Sequence, residues 1–153
     1  VTVFRVSSDE AVDLGCLDGR IGDNGIEDVN AFSWVERINL LGTYKGERNV
    51  GIGSEGLPEA KEDAWKIIWD KKPLVLKQEL EVIVQNEDGS TENRVLPAGT
   101  ELIPQETDKE TYLDAETSYG TQCRIEVETE DGYTYMIHGV DEHAYFADLP
   151  YAG

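Results

Sequence analysis

From residue 28 the chain reads DVNAFSWVERINLLG, in which Phe32, Val35, Ile38 and Leu41 recur at every third position and Trp34 stands four before Ile38. Apolar residues spaced by three and four fall on one face of a helix. Asp28 or Asn30 offers a cap for its start, and Gly42 a left-handed residue for its end. A second helix is predicted over LPEAKEDAWKIIWDKKP, residues 57–73. Pro58 suits its first turn, where a missing N–H costs nothing. Glu59, Glu62 and Asp63 face the positive end of the helix dipole, and Lys71 and Lys72 the negative end. Ala64, Trp65, Ile68 and Trp69 form its buried stripe, and Pro73 forbids continuation.

Beyond Pro73 the period changes to two. In LVLKQELEVIVQ, residues 74–85, Leu74, Leu76, Leu80, Val82 and Val84 share one face, while Lys77, Glu79 and Glu81 lie on the other. That is a long half-buried strand. Asp88-Gly89 supplies a turn, TENRVL returns, Pro97-Ala98-Gly99 turns again, and TELIPQ is the next strand. In CRIEVETEDGYTYMIH, Cys123, Ile125 and Val127 alternate with Arg124, Glu126 and Glu128 up to an Asp131-Gly132 turn, and Tyr133, Tyr135 and Ile137 alternate back, the pattern of a hairpin. Val1 to Val6 reads as a short strand, and the Gly-, Asp- and Asn-rich stretch from Ser7 to Asp28 as mostly loop. The predicted fold class is α+β. Two helices in an N-terminal part, residues 1–72, pack on a C-terminal antiparallel meander, residues 73–153, whose edges are hidden by closure into a small barrel. No flexible linker marks the switch at Pro73, so the two parts pack as one unit.

The stretches VLPAGTELIP, CRIEVETEDGYTYMI and YFADLPY resemble the bacterial SH3-like domain. The resemblance falls on Leu96, Pro97, Gly99 and Thr100, on Asp131-Gly132, and on Tyr133 to Ile137, and it spans roughly residues 80–151. It implies an SH3-like β-barrel and an extracytoplasmic module of a bacterial cell-envelope or secreted protein, used for binding, with a cell-wall or protein/peptide ligand, or as an accessory to a neighbouring domain.

Composition narrows the partners. The 153 residues carry 32 acids against 13 bases, a net charge of −19. A field of that sign repels phosphate backbones, so nucleic acid is excluded as an expected partner, and anionic membrane surfaces are disfavoured. No run approaches the roughly 18 apolar residues that span a bilayer. The chain opens on Val1 in place of Met, which points to a processed or excised segment and leaves an export signal or lipid anchor open. Cys16 and Cys123 are the two cysteines. As a disulfide they would close a loop of more than 100 residues, worth on the order of 4–5 kcal/mol if unstrained; as two buried thiols they would only pack.

The candidate chemistry is thin. Gly51, Gly53 and Gly56 spell the G-x-G-x-x-G of dinucleotide-binding folds. That fingerprint needs a buried strand before it and a phosphate-accepting helix after it. Here the flanks are polar, and Glu55, Glu59, Glu62 and Asp63 would repel a pyrophosphate, so the glycines read as a connector between the two helices. Asp18, Asp23, Asn24, Glu27 and Asp28 lie within eleven residues, an oxygen-rich run that can serve calcium. The EF-hand register fails, because Arg20 takes its first position and Ala31 its twelfth. A solvated acidic loop is the default, and a calcium-stabilised structural domain the alternative. His138 and His143, with Asp141 and Glu142 between them, offer mixed metal ligands or a polar turn. Cys16 with either histidine would make a Cys/His cell-envelope hydrolase, but Asp13 and Asp18 beside Cys16 oppose a nucleophilic thiolate. Tyrosines crowd the last third, and the ligand-binding candidates are Tyr112, Tyr119, Tyr133 and Tyr135. Tyr112 and Tyr119 are preferred because they fall in a long loop and not on the hairpin face. The reading favoured is a non-enzymatic binding module without a cofactor.

Overall fold

The segment with helical spacing, residues 31–39, is a strand. The computed structural model describes residues 2–6, 11–16, 20–21, 31–54, 58–69 and 71–151, with side chains from Phe32 onward, Trp69 apart. In chain order the strands are β1 (Thr2–Val6), β2 (Ala11–Cys16), β3 (Arg20–Ile21), β4 (Ala31–Asn39), β5 (Thr43–Ile52), β6 (Pro58–Ala60), β7 (Trp65–Trp69), β8 (Leu74–Val75), β9 (Leu80–Gln85), β10 (Thr91–Leu96), β11 (Glu101–Thr107), β12 (Tyr112–Thr117), β13 (Gln122–Glu126), β14 (Met136–Ile137) and β15 (Val140–Asp141). One four-residue helix follows, α1 (Glu142–Tyr145).

Among the described residues most strands join one antiparallel sheet in the order β10-β9-β13-β12-β11-β7-β5-β4-β3, with β6 beside β5 and β8 beside β11. The expected α+β class is therefore corrected to nearly all antiparallel β. The sheet ends at β10 on one side and β3 on the other, so the SH3-like barrel is not closed. Strands β1 and β2 form a separate pair, as do β14 and β15.

The two predicted helices fail for different physical reasons. Ser33, Trp34 and Val35 are all buried, as are Ile38, Leu40 and Leu41. A strand covered on both faces loses its clean alternation, and its apolar residues then mimic a three-and-four spacing. Phe32, Trp34, Val35 and Ile38 are strand-favouring side chains, and nine successive pairs from Ala31↔Gly51 to Asn39↔Thr43 lock β4 to β5. In the second segment Trp65 and Ile67 are buried while Lys66 between them is exposed. The period there is two, and β7 is held between β5 and β11. Glu59, Glu62 and Asp63 are exposed around the bend that joins β6 to β7.

Gly42 does take a positive φ, as expected, but at a hairpin and not at a helix end: Leu41 has φ 50° and Gly42 φ 137°. Gly51 and Gly53 lie at the end of β5 and just beyond it. The G-x-G-x-x-G thus leads from strand to strand and not between helices; Gly56 is outside the described residues. In the C-terminal half the expected turns hold: Gly89 and Gly99 have φ 82° and 83°, and β9 and β10 pair without a slip. The long strand predicted over residues 74–85 is broken. Leu76 bridges Phe146, and β9 starts only at Leu80. The stretch read as a long loop, residues 105–122, contains the whole of β12.

A continuous core runs from Trp34, Ile38 and Tyr44 through Trp65 and Ile67 to Leu102, Leu113, Ile125, Ile137 and Phe146. Far-UV circular dichroism is expected to show the single minimum of β-sheet without the double minimum of helix. A Cβ on Gly42 would stand 2.5 Å from the Tyr44 hydroxyl and 2.8 Å from Pro150. Gly42→Ala is therefore expected to cost about 2–3 kcal/mol, since strain and overlap add; urea unfolding measures it.

Candidate functional site

The β13–β14 connection lines a cleft with the β4–β5 hairpin. Asp131 caps its own loop: Oδ1 accepts the Tyr133 and Thr134 N–H groups, each at 2.8 Å. The Thr129 hydroxyl accepts the Gly132 N–H at 2.9 Å, and Gly132 has φ 73°. Short side chains that bond the backbone two or three residues on favour such a turn over a strand ladder. Only the Glu128↔Met136 bridge pairs the two arms. The turn turns Tyr133 out, 86% exposed, whereas Tyr135 is 3% exposed. The Tyr135 hydroxyl donates to the Asn39 carbonyl at 2.7 Å, which ties this loop to the β4–β5 hairpin.

Between them lies a cavity of about 230 Å³, walled by Arg37, Asn39 and Thr43 on one side and by Gly132, Tyr133, Tyr135 and Tyr151 on the other. Tyr151 is fixed by the carboxylate of Glu142, whose two oxygens each lie 2.9 Å from its donating hydroxyl. Glu142 is 1% exposed. Nearby, the Tyr44 hydroxyl donates to the Leu41 carbonyl at 2.8 Å, and the Thr43 N–H donates to the Pro150 carbonyl at 3.0 Å. Burial raises the Glu142 pKa and the neighbouring Asp141 charge adds to it, against the Tyr151 hydrogen bond and His143. Burial also raises the pKa of Tyr44, Tyr135 and Tyr151, and the Glu142 charge pushes each the same way. The Tyr44, Tyr135 and Tyr151 hydroxyls thus act as donors. The β13–β14 loop also lines a wider, acidic hollow of about 720 Å³, bounded by Glu128, Glu130, Asp131 and Met136.

Of the four candidate tyrosines the structure brings together Tyr133 and Tyr135. Tyr112 lies on β12, not in a loop; the Arg124 guanidinium sits 3.7 Å from its ring centroid and binds Asp114 with two 2.7 Å hydrogen bonds. Its outer face is thus already covered. Tyr119, 63% exposed, stands at the β12–β13 turn. Arg37 and Asn39 carry no binding signal in the sequence, and Glu142 reads there only as a metal-ligand candidate between His138 and His143. Arg37 and Asn39 were hidden on the polar side of a supposed helix, and Glu142 is one acid among 32.

The remaining candidates do not converge. His138 Nε2 lies 3.0 Å from the Glu81 carbonyl, and His143 Nδ1 lies 3.0 Å from Asp141 Oδ1. Among the described residues no group of three His, Cys, Asp or Glu side chains is placed to hold a metal ion. The calcium candidates Asp18, Asp23, Asn24 and Asp28 lie outside the described residues. Cys123 is a buried free thiol whose pKa is pushed up to about 11 by burial and by the Asp114 charge. The side chain of Cys16, its candidate disulfide partner, lies outside the described ones. Among the described residues no helix is long and apolar enough to cross a membrane. Comparison with family models, with curated proteins and with solved structures finds no match to this chain.

Two tests follow from these groups. A carboxyl whose folded pKa is raised stabilises the fold when protonated, and that contribution is lost as pH rises through the folded pKa. Glu142→Gln keeps an acceptor for Tyr151 and cannot ionise. Its melting temperature is expected to gain on the wild type's between acid and neutral pH by on the order of 2–4 °C, the effect of about 1 kcal/mol in a chain of this size. Thermal melts of both proteins at the two pH values check it. Cys123 is expected to resist iodoacetamide at neutral pH in the folded protein and to react once urea unfolds it, as mass spectrometry of the Cys123 peptide would record.

Proposed function

We propose that this chain is a non-enzymatic binding module that works outside the cytoplasm at a bacterial cell envelope and takes an extended cell-wall or peptide ligand in the cleft beside Tyr133. One observation carries the reading: an 86% exposed tyrosine stands over a cavity whose other walls are two further tyrosines, an arginine and an asparagine. Exposed aromatic rings give area at little entropic cost, and Arg and Asn add oriented hydrogen bonding. The cavity, about 230 Å³, falls below the roughly 300 Å³ at which whole small-molecule sites begin. It therefore suits one ring or one side chain of a longer ligand. The walls are pre-formed, because Tyr135 is anchored to Asn39 and Tyr151 to Glu142. The resemblance of the Leu96 to Thr100 turn and the Asp131-Gly132 loop to bacterial SH3-like modules supports the envelope setting.

Titration of isotope-labelled protein with soluble peptidoglycan fragments, followed by NMR, tests the proposal. Shifts are expected at Arg37, Asn39 and Gly132 to Tyr135. Tyr133→Ala is expected to weaken binding at least tenfold, while stability stays within about 0.5 kcal/mol because the ring is exposed. Absence of shifts at the cleft, or full affinity in Tyr133→Ala, overturns it.

A further inference from the structure

The sheet's terminal strand offers a second, independent surface. Strand β10 pairs with β9 over six residues with no bulge, and among the described residues nothing pairs with its outer edge. Five of its six residues are exposed, Val95 by 52%. Natural sheets commonly blunt such an edge with a proline, a bulge or charged side chains; Thr91–Leu96 has no proline and no bulge, and its two charges, Glu92 and Arg94, pair with each other.

The direction of each backbone group follows from the hairpin's closing bond. The Asn86 N–H donates to the Ser90 carbonyl at 2.9 Å. In an antiparallel pair bonded and non-bonded positions alternate. With Glu92↔Val84, Arg94↔Val82 and Leu96↔Leu80 in register, the N–H and C=O groups of Glu92, Arg94 and Leu96 turn toward β9. Those of Thr91, Asn93 and Val95 turn outward. The same phase sends the Glu81 carbonyl away from β10, where it meets His138 Nε2 at 3.0 Å.

Charge selects the occupant. From Glu79 to Leu96 the hairpin holds five acids, Glu79, Glu81, Glu87, Asp88 and Glu92, against Arg94 alone. Arg94 is ion-paired to Glu92 on the strand itself. A second copy of a chain with net charge −19 is repelled from this edge, whereas a cationic strand is attracted. We propose that the outer edge of β10 is a docking site for an extended basic peptide segment, added as a further antiparallel strand through Thr91, Asn93 and Val95. Main-chain bonds supply the register, Val95 an apolar contact, and the hairpin acids the choice of sign.

The probe is an acetylated, amidated octapeptide of alternating Lys and Val. Mixed with the full chain at low salt, it is expected to shift the amide resonances of Thr91, Asn93 and Val95 and to slow their hydrogen exchange. The affinity is expected to fall as salt rises. Asn93→Pro deletes an outward N–H and leaves the β9 bonds intact, and edge strands tolerate proline. It is expected to lower affinity at least tenfold with little change in melting temperature. A probe N-methylated along one edge tests the same bonds with the wild-type protein and is expected to lose binding to the same extent. The proposal is overturned by shifts elsewhere but not on β10, by equal binding of a Glu/Val peptide, by undiminished binding of the N-methylated probe, or by a β10–β10 dimer in sedimentation that excludes the peptide. Retained binding at the Tyr133 cleft in any of these cases leaves that reading standing apart.

Discussion

Strand β11 is paired along both of its edges, and the sheet depends on it. One edge carries β12 through five pairs. The other carries β8 at Glu101 and Leu102 and β7 at Glu106 and Thr107. Residues before and after Pro73 thus hydrogen-bond to the same strand. Around that junction Trp65 is 2% exposed, with the Arg48 guanidinium 4.2 Å and the Lys109 ammonium 4.4 Å from its ring centroid. Lys109 also pairs with Glu36 of β4, and burial lowers its pKa. A cation held against an indole and a carboxylate in partial burial is worth more than a solvated pair. It ties the β11–β12 turn to the β4–β5 hairpin.

The cleft inherits its shape from that frame. Its walls come from a hairpin on one side and a self-capped loop on the other, and neither alone encloses anything. Tyr135 reaches from the loop to the hairpin, and Glu142 with Tyr151 brings the last described segment to the same place. A buried carboxyl is an expensive way to fix a tyrosine, because desolvation opposes its charge. It is an effective one, since the acceptor has little freedom to turn elsewhere.

What could be read from the residues depended on how many faces of a strand are covered. The β9–β10 hairpin was legible, since Leu80, Val82 and Val84 alternate with exposed Glu81 and Gln85 and an Asp-Gly turn follows. Strand β4 was not, because Ser33, Trp34 and Val35 are buried in succession and no alternation survives. Strand β7 did alternate at Trp65, Lys66 and Ile67, yet flanking acids, lysines and prolines gave it the charge profile of a helix. In the candidate site, alternation put Tyr133 and Tyr135 on one hairpin face. The Asp131 cap breaks the strand between them and separates them completely in exposure. Arg37 and Asn39 give no such signal, because their place beside the cleft depends on a contact across 96 residues, from Asn39 to Tyr135.

That long separation has a kinetic side. The contacts that cover the β4–β5 turn, from the Tyr135 hydroxyl to Asn39 and from Thr43 to the Pro150 carbonyl, close loops of roughly a hundred residues. Chains dominated by such distant pairings fold slowly, because closure entropy is lost before the contact forms. During synthesis the β4–β5 hairpin emerges before residues 135–151, and its turn stays bare until they leave the ribosome. In that interval its buried aromatic and aliphatic side chains are accessible to chaperones and to misassociation. Residues 135–151 therefore supply the contacts that end this exposure, and a bulky group inserted among them would prolong it.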